Sequence, residues 1–298
     1  MLMRVIFTAI MFGALLVLVA CQPTRVLNTV VPSGSYHAHT DVIYGEHERQ
    51  RMDIYLPQQE KIKEQVIVFV YGGAWDQGDK KEFEFVGQAF ARLGYITVVP
   101  NYRLYPDVEF PDFIQDVAVA IAEIPATLQA RNIDNCPSGR QVILMGHSAG
   151  AHSAAMLVAD PQYSHTAGID DLTISALVGM SGPYDLPLEH ERVKDKFSQV
   201  EGEEANPVAL AHAEMPPTLL LHGGQDTVAE PLHTEKFAQR LRELDVHVDV
   251  HRYDRARHVA LVASLASPLR FWTPAYNDIQ AFLTEQQLDG ECFPEGPH

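Results

Sequence analysis

The chain has 298 residues, 46% of them hydrophobic and 20% charged, an ordinary balance for a globular protein long enough to bury a large core without cross-links. Lys and Arg total 22 against 39 Asp and Glu, a formal charge of −17, and no long basic run interrupts that excess. Such a surface repels phosphate backbones and excludes nucleic acid as an expected partner; the acidity itself selects no substrate and reads as a solvated face.

The first residues read as a targeting segment. Arg4 supplies a short positive start, and residues 6–20 are apolar and uncharged, too few for a comfortable membrane span and placed as a signal-peptide core. The run closes on Leu18-Val19-Ala20-Cys21, which resembles the bacterial lipobox, where cleavage precedes the cysteine and its thiol is acylated. Residues 1–20 are therefore expected to be a lipoprotein signal peptide and Cys21 the lipidation site. Gln22 follows where Asp would mark inner-membrane retention. The expected location is the bacterial cell envelope, with the lipid anchor in the outer membrane and the protein facing the periplasm. Residues 21–35 contain Pro23, Pro32, Ser33 and Gly34 with no amphipathic period, and read as a tether. Residues 36–298 read as one folded domain.

Within that domain, short apolar runs alternate with helical patterns, as in a parallel sheet with crossover helices. Residues 52–56 alternate and predict an early strand. Residues 66–71 are continuously apolar, as a strand covered on both faces should be. A helix is expected over 83–93, stopped by Gly94, and a strand over 96–99. Phe113, Ile114, Val117, Ile121 and Ile124 give helical spacing to 111–129, with Pro125 set to end or kink it. Strands follow at 141–145, 174–180, 218–221 and 246–253, and helices at 149–159, 232–244 and 274–287. The pattern is weak over 183–217, the expected site of a small lid or substrate-shaping insertion. No internal repeat is visible.

The strongest chemical signal is Gly146-His147-Ser148-Ala149-Gly150, which follows a strand and opens a helix. A serine on so tight a turn is lifted clear of the chain. Glycines two before and two after it let strand and helix approach, and the helix N-terminus favours a developing oxyanion. Ser148 is thus the candidate nucleophile, and His147 fills the motif's variable position. Tyr71-Gly72-Gly73-Ala74-Trp75 follows the buried strand directly, where glycines let backbone N–H groups turn toward a site. A serine nucleophile needs a base and an acid that orients it. Asp226 sits on the loop after the 218–221 strand, and His258 follows the 246–253 strand. The order Ser, Asp, His fits this arrangement, with Asp185 and Asp254 as competing acids.

These motifs resemble the α/β-hydrolase fold carboxylesterases, in particular the feruloyl-esterase-like and hormone-sensitive-lipase-like esterases. The likeness extends through Val99-Pro100-Asn101-Tyr102-Arg103-Leu104, Phe110-Pro111, Asp116 and Ser181-Gly182-Pro183-Tyr184-Asp185-Leu186, and covers roughly residues 44–283. The resemblance implies a mostly parallel central sheet with helices on both faces. It also implies an oxyanion hole from the N–H groups of Gly73, Ala74 and Ala149, and a match of His222-Gly223 through Asp226 to the family's H-G-x-x-D pattern. Tyr71 stands where the family usually has His, so the loop must be braced differently, and Ala74 replaces a third glycine.

The expected activity is hydrolysis of small or short-acyl carboxylic esters through an acyl-enzyme on Ser148. Arylformamidase or exopeptidase-type amide hydrolysis on the same machinery is the alternative, and a non-catalytic binding protein on this scaffold a third. The expected partner is a small-molecule ester. No cofactor is expected, the histidines show no metal spacing, and oligomeric state is left open. Of the 3 cysteines, Cys136 and Cys292 remain once Cys21 is set aside. Export favours disulfides. Both residues belong at the sheet edge opposite Ser148, so a Cys136–Cys292 bridge is one reading and two unpaired thiols the other.

Overall fold

The computed structural model describes residues 27–28, 31–58, 62–133, 139–169 and 173–292; the expected targeting segment, Cys21 and Cys136 lie outside them. In chain order the strands are β1 (Tyr36–Ile43), β2 (Arg51–Pro57), β3 (Ile62–Lys63), β4 (Val66–Val70), β5 (Ile96–Pro100), β6 (Gln141–His147), β7 (Thr173–Met180), β8 (Thr218–Gly223), β9 (Val248–Tyr253) and β10 (Glu291–Cys292). The helices are α1 (Glu84–Ala91), α2 (Asp112–Ala122), α3 (Ile124–Ala130), α4 (Ala149–Ala159), α5 (Pro161–Ala167), α6 (Pro207–Leu210), α7 (Leu232–Glu243), α8 (His258–Ala263) and α9 (Ala275–Glu285).

Eight strands form one sheet in the order β1-β2-β5-β4-β6-β7-β8-β9. β2 pairs antiparallel with both β1 and β5, and every pair from β5 to β9 is parallel. All five residues of β4 are buried, because helices cover both faces of the sheet at its centre. Parallel strands all point the same way, so the turns after β4, β6, β8 and β9 gather at one edge, where an open α/β sheet holds its site.

Several elements differ from the sequence reading: α5, α6, α8, β3 and β10 had no expected counterpart, and two further differences have a clear physical reason. Most of β1 is solvent-exposed, and its register shifts between His39 and Val42, so no apolar alternation marks it. The helix expected over 111–129 is two helices divided at Glu123, with Pro125 in the first turn of α3, where a missing N–H leaves no hydrogen bond unmade.

The last part of the stretch read as a tether rests on the domain. Leu27 and Val31 pack against the core, and Asn28 donates to the Lys81 carbonyl at 2.6 Å and accepts from the Phe85 N–H at 3.3 Å. At the opposite edge of the sheet from Ser148, β10 pairs with β3, and the Glu64 N–H donates to the Gly290 carbonyl at 3.0 Å. Cys292 is disulfide-bonded there. Its expected partner, Cys136, lies outside the described residues, so the pairing stays a proposal. Among the described residues no helix is long and apolar enough to cross a membrane.

Candidate active site

β6 ends at His147 and α4 begins at Ala149, so Ser148 reverses the chain alone. It does so at φ 57° and ψ −125°, a conformation a non-glycine residue holds only when its surroundings impose it. A Cβ on Gly150 would lie 2.1 Å from the Val70 carbonyl oxygen, so only glycine lets α4 start against the end of β4. The Ser148 N–H donates to the Met180 carbonyl at 2.9 Å and ties the turn to β7. Every residue of α4 is buried, and its many alanines let it fit there.

His258, the first residue of α8, brings Nε2 to 2.7 Å from Ser148 Oγ, and its Nδ1 lies 2.7 Å from Asp226 Oδ2. A carboxylate only accepts, so Nδ1 carries the ring proton and Nε2 accepts from the serine hydroxyl. The Asp226 side chain is fully buried. Its Oδ1 accepts from the N–H groups of Val228 at 2.9 Å and Ala229 at 3.1 Å. Burial pushes this carboxyl up, but hydrogen bonds from His222, His258 and the Val228 backbone outweigh it and hold it well below the usual carboxylate range. Of the competing acids, Asp185 is taken by Lys236 and by Asn206 at 3.1 Å, while Asp254 is exposed.

Two further histidines brace this chain of bonds. His222 Nε2 is 2.9 Å from the Ala229 carbonyl and 3.5 Å from Asp226 Oδ2, and its Nδ1 is 2.7 Å from the Thr234 hydroxyl. It thus ties the acid's loop to α7. His147 Nε2 donates to the His258 carbonyl at 3.1 Å, and the two rings lie 4.8 Å apart. Burial holds His147 down to about 3, so it stays a neutral donor. The sequence reading gave neither residue a role; position beside Ser148 and in the pattern before Asp226 was the only signal.

The Tyr71–Trp75 loop forms the second wall. Its Tyr71 hydroxyl donates to Asn101 Oδ1 at 2.6 Å and accepts from Arg49 Nη2 at 3.0 Å. The ring stacks between Phe83 and Tyr102, and the Tyr102 hydroxyl donates to the Tyr71 carbonyl at 2.8 Å. Arg49 also donates to the Gly78 and Tyr102 carbonyls at 2.9 and 2.8 Å, closing the loop on itself. This network stands where a histidine was expected. Gly73 takes φ 134°, and a Cβ there would lie 2.1 Å from the Gln77 carbonyl oxygen. The N–H groups of Gly73, Ala74 and Ala149 meet no backbone acceptor among the described residues, and Ala74 and Ala149 line the cleft with Ser148.

Residues 183–217 close the opposite side. Pro183, Leu186, Pro187, His190, Arg192 and Val193 line a cavity of about 80 Å³ that reaches Ser148. Phe197, from the same stretch, lies edge-on to Trp75 at 4.9 Å and stacks on Phe110 at 5.1 Å. His152 Nε2 donates to the Ala205 carbonyl at 2.8 Å, fastening the stretch to α4. Among the described residues no three His, Cys, Asp or Glu side chains gather as a metal ion requires.

Sheet order and this edge define an α/β-hydrolase fold, and known proteins agree. Esterase B of Lactobacillus rhamnosis superposes with a TM-score of 0.72 at 18% identity, covering 97% of each chain, a likeness of fold alone. Isoprenylcysteine alpha-carbonyl methylesterase of Arabidopsis thaliana is 27% identical over 280 residues, 86% of this chain and 64% of that protein. Esterase LipC of Mycobacterium tuberculosis is 31% identical over 224 residues, 67% of this chain and 54% of that one. The family model BD-FAE matches residues 52–241, and the chain belongs to that family. It spans little more than half the length of several of the curated relatives it matches, 53% in one case and 60% in another.

Proposed function

We propose that this chain is a serine carboxylesterase that hydrolyses small or short-acyl esters. The observation that carries this reading is the unbroken relay from Asp226 through His258 to Ser148, with both links at 2.7 Å. The Ser148 hydroxyl attacks the ester carbonyl while His258 Nε2 takes its proton. Asp226 keeps the imidazole in the required tautomer and stabilises its cation. The carbonyl oxygen becomes an oxyanion and receives the N–H groups of Ala149 and Ala74, with Gly73 beside them. Collapse expels the alcohol, which takes the proton back from His258 and leaves an acyl group on Ser148. Water, deprotonated by His258, then releases the acid.

The small cavity beside Ser148, lined mostly by apolar side chains with Arg192, His190 and His233 among them, supports a short acyl group. So does the 183–217 stretch, whose only α-helix is the four-residue α6, unlike the long apolar lid of a triglyceride lipase. The test pairs a serine-reactive phosphonate with a substrate panel. Labelling at Ser148 and turnover of short esters are expected. Preference for aryl formamides or peptides, or efficient cleavage of emulsified long-chain triglyceride, would overturn the substrate class; absence of labelling would overturn the nucleophile.

The reading extends to the ends of the chain. A lipid on Cys21 would hold the enzyme at the outer membrane, several acyl chains being needed for firm attachment. The lipobox resemblance supports this, and mass spectrometry of the mature N-terminus tests it: an unmodified Cys21, or cleavage elsewhere, overturns it. Pairing of Cys136 with Cys292 would cross-link the sheet edge far from Ser148. Two free thiols in the denatured, unreduced protein would overturn that.

A further inference from the structure

The charge lining the cleft is opposite to that of the protein. The chain carries −17, yet no Asp or Glu lines the cavity beside Ser148 among the described residues, whereas Arg192, His190 and His233 all do. Neighbouring cations are spoken for. Lys194 pairs with Glu191 at 3.0 Å, Lys196 with Asp76 at 2.7 Å, and Lys236 with Asp185. The Arg192 guanidinium meets no acceptor among the described residues, although its backbone is held at both ends: its N–H donates to His190 Nδ1 at 3.1 Å, and its carbonyl accepts from Lys196 Nζ at 2.8 Å.

The same backbone contacts set the imidazoles. His190 Nδ1 accepts the Arg192 N–H, and His233 Nδ1 accepts the Asp185 N–H at 3.3 Å. A neutral imidazole that accepts at Nδ1 carries its proton at Nε2. Among the described residues that line it, the cleft therefore offers one cation and two N–H donors but no carboxylate; Asp185 and Glu230 act on His233 from behind the wall. Burial also lowers His233, in keeping with a neutral ring.

We propose that the cleft selects esters bearing a carboxylate, bound by Arg192 with His190 and His233 as further donors. This rests on the esterase reading above and names its substrate class. A guanidinium presents a planar fork of donors that matches a carboxylate. On a chain of net charge −17, an exposed cation that no carboxylate among the described residues pairs also draws an anionic substrate to the cleft. The carboxylate could sit on the acyl side or the alcohol side of the scissile bond.

The test uses the full chain and two matched pairs, followed by proton release at constant pH. Methyl valerate against monomethyl glutarate probes the acyl side. Propyl butyrate against carboxymethyl butyrate probes the alcohol side. In one pair the anionic member should be preferred in kcat/KM by about tenfold, mostly through KM, as one charge-assisted contact allows. Arg192→Gln should bring that ratio to about one, and Arg192→Lys should keep part of it. Raising ionic strength should lower the anionic member's KM advantage in wild type and leave the Arg192→Gln ratio flat. Equal or better use of the neutral member in both pairs, or a ratio untouched by Arg192→Gln, overturns the inference and leaves the esterase reading standing. No turnover of any member, together with no phosphonate labelling of Ser148, overturns both.

Discussion

On one side of Ser148 the chain is held by backbone sterics and buried hydrogen bonds. Gly150 touches the Val70 carbonyl, Gly73 lies against Gln77, and the Tyr71 ring is locked by Arg49, Asn101 and two stacked aromatics. On the other side, residues 183–217 contain one α-helix of four residues and are fastened by a few specific contacts: Phe197 on Trp75, Asp185 to Lys236, and Ala205 to His152. The first wall is tightly constrained, which suits the oxyanion donors proposed for it, whose placement matters within tenths of an ångström. The second wall carries the exposed and titratable groups, His190 and Arg192 among them. Rate should depend on the first wall and selectivity on the second.

The largest effect expected on that division is at Ser148 itself. Ser148→Ala should lower ester turnover on the order of 10⁵- to 10⁶-fold and abolish phosphonate labelling, because no other group can form the acyl intermediate. Retained labelling would place the nucleophile elsewhere. Next comes Asp226→Asn, at about 10⁴-fold in kcat with the fold retained, since the amide no longer sets the imidazole tautomer. The control is Asp254→Asn on the exposed loop. If Asp254→Asn were the more damaging of the two, the acid would be misassigned.

A smaller effect tests the wall behind the oxyanion donors. Burial raises the Tyr71 hydroxyl well above an ordinary phenol, so it remains a neutral donor to Asn101 and acceptor for Arg49. Tyr71→Phe leaves the Arg49 guanidinium and Asn101 Oδ1 short of one buried partner each. A loss of about tenfold in kcat with KM little changed is expected, because the loop's donors act on the oxyanion more than on the ground-state ester. An equal rise in KM instead would mean that the loop shapes the cleft and does not serve the transition state.

The two walls also differ in how far sequence reveals them. Short-range rules govern the first. A serine between small residues at a strand-to-helix turn, glycines after a buried strand, and an acid and a histidine after successive strands each have a local reason for their identity. What escaped the sequence was tertiary. His147 and His222 acquire partners only when α7, α8 and β8 meet, and Arg49 reaches Tyr71 across the sheet edge from the loop before β2. β1 escaped because an exposed edge strand needs no apolar alternation. The shape of 183–217 escaped because its buried side chains, Tyr184, Leu186, Val193, Phe197, Ala205, Ala211 and Met215 among them, sit at no regular period, and contacts such as Phe197 on Trp75 and Ala205 with His152 hold the stretch in place.

The smallest effect expected concerns the link between the walls. His152, on the helix that follows Ser148, donates from Nε2 to the Ala205 carbonyl, and its Nδ1 is buried with no partner among the described residues. Burial holds this ring down to about 4, and His147 down to about 3. In the unfolded chain both titrate near about 6.5. Below that value the unfolded state binds a proton that the folded state refuses, so stability is present above the unfolded pKa and falls as pH drops toward the folded one. Each such ring contributes a slope of about 1.4 kcal/mol per pH unit across that window. His152→Gln keeps a donor for Ala205 and removes one titrating ring. Urea unfolding followed by far-UV circular dichroism between pH 7 and pH 4.5 should give a slope shallower than wild type by about one proton. Identical slopes would mean that His152 takes up its proton while folded. The proton would then sit on Nδ1, and the Nε2 donor to Ala205 would persist through mild acid.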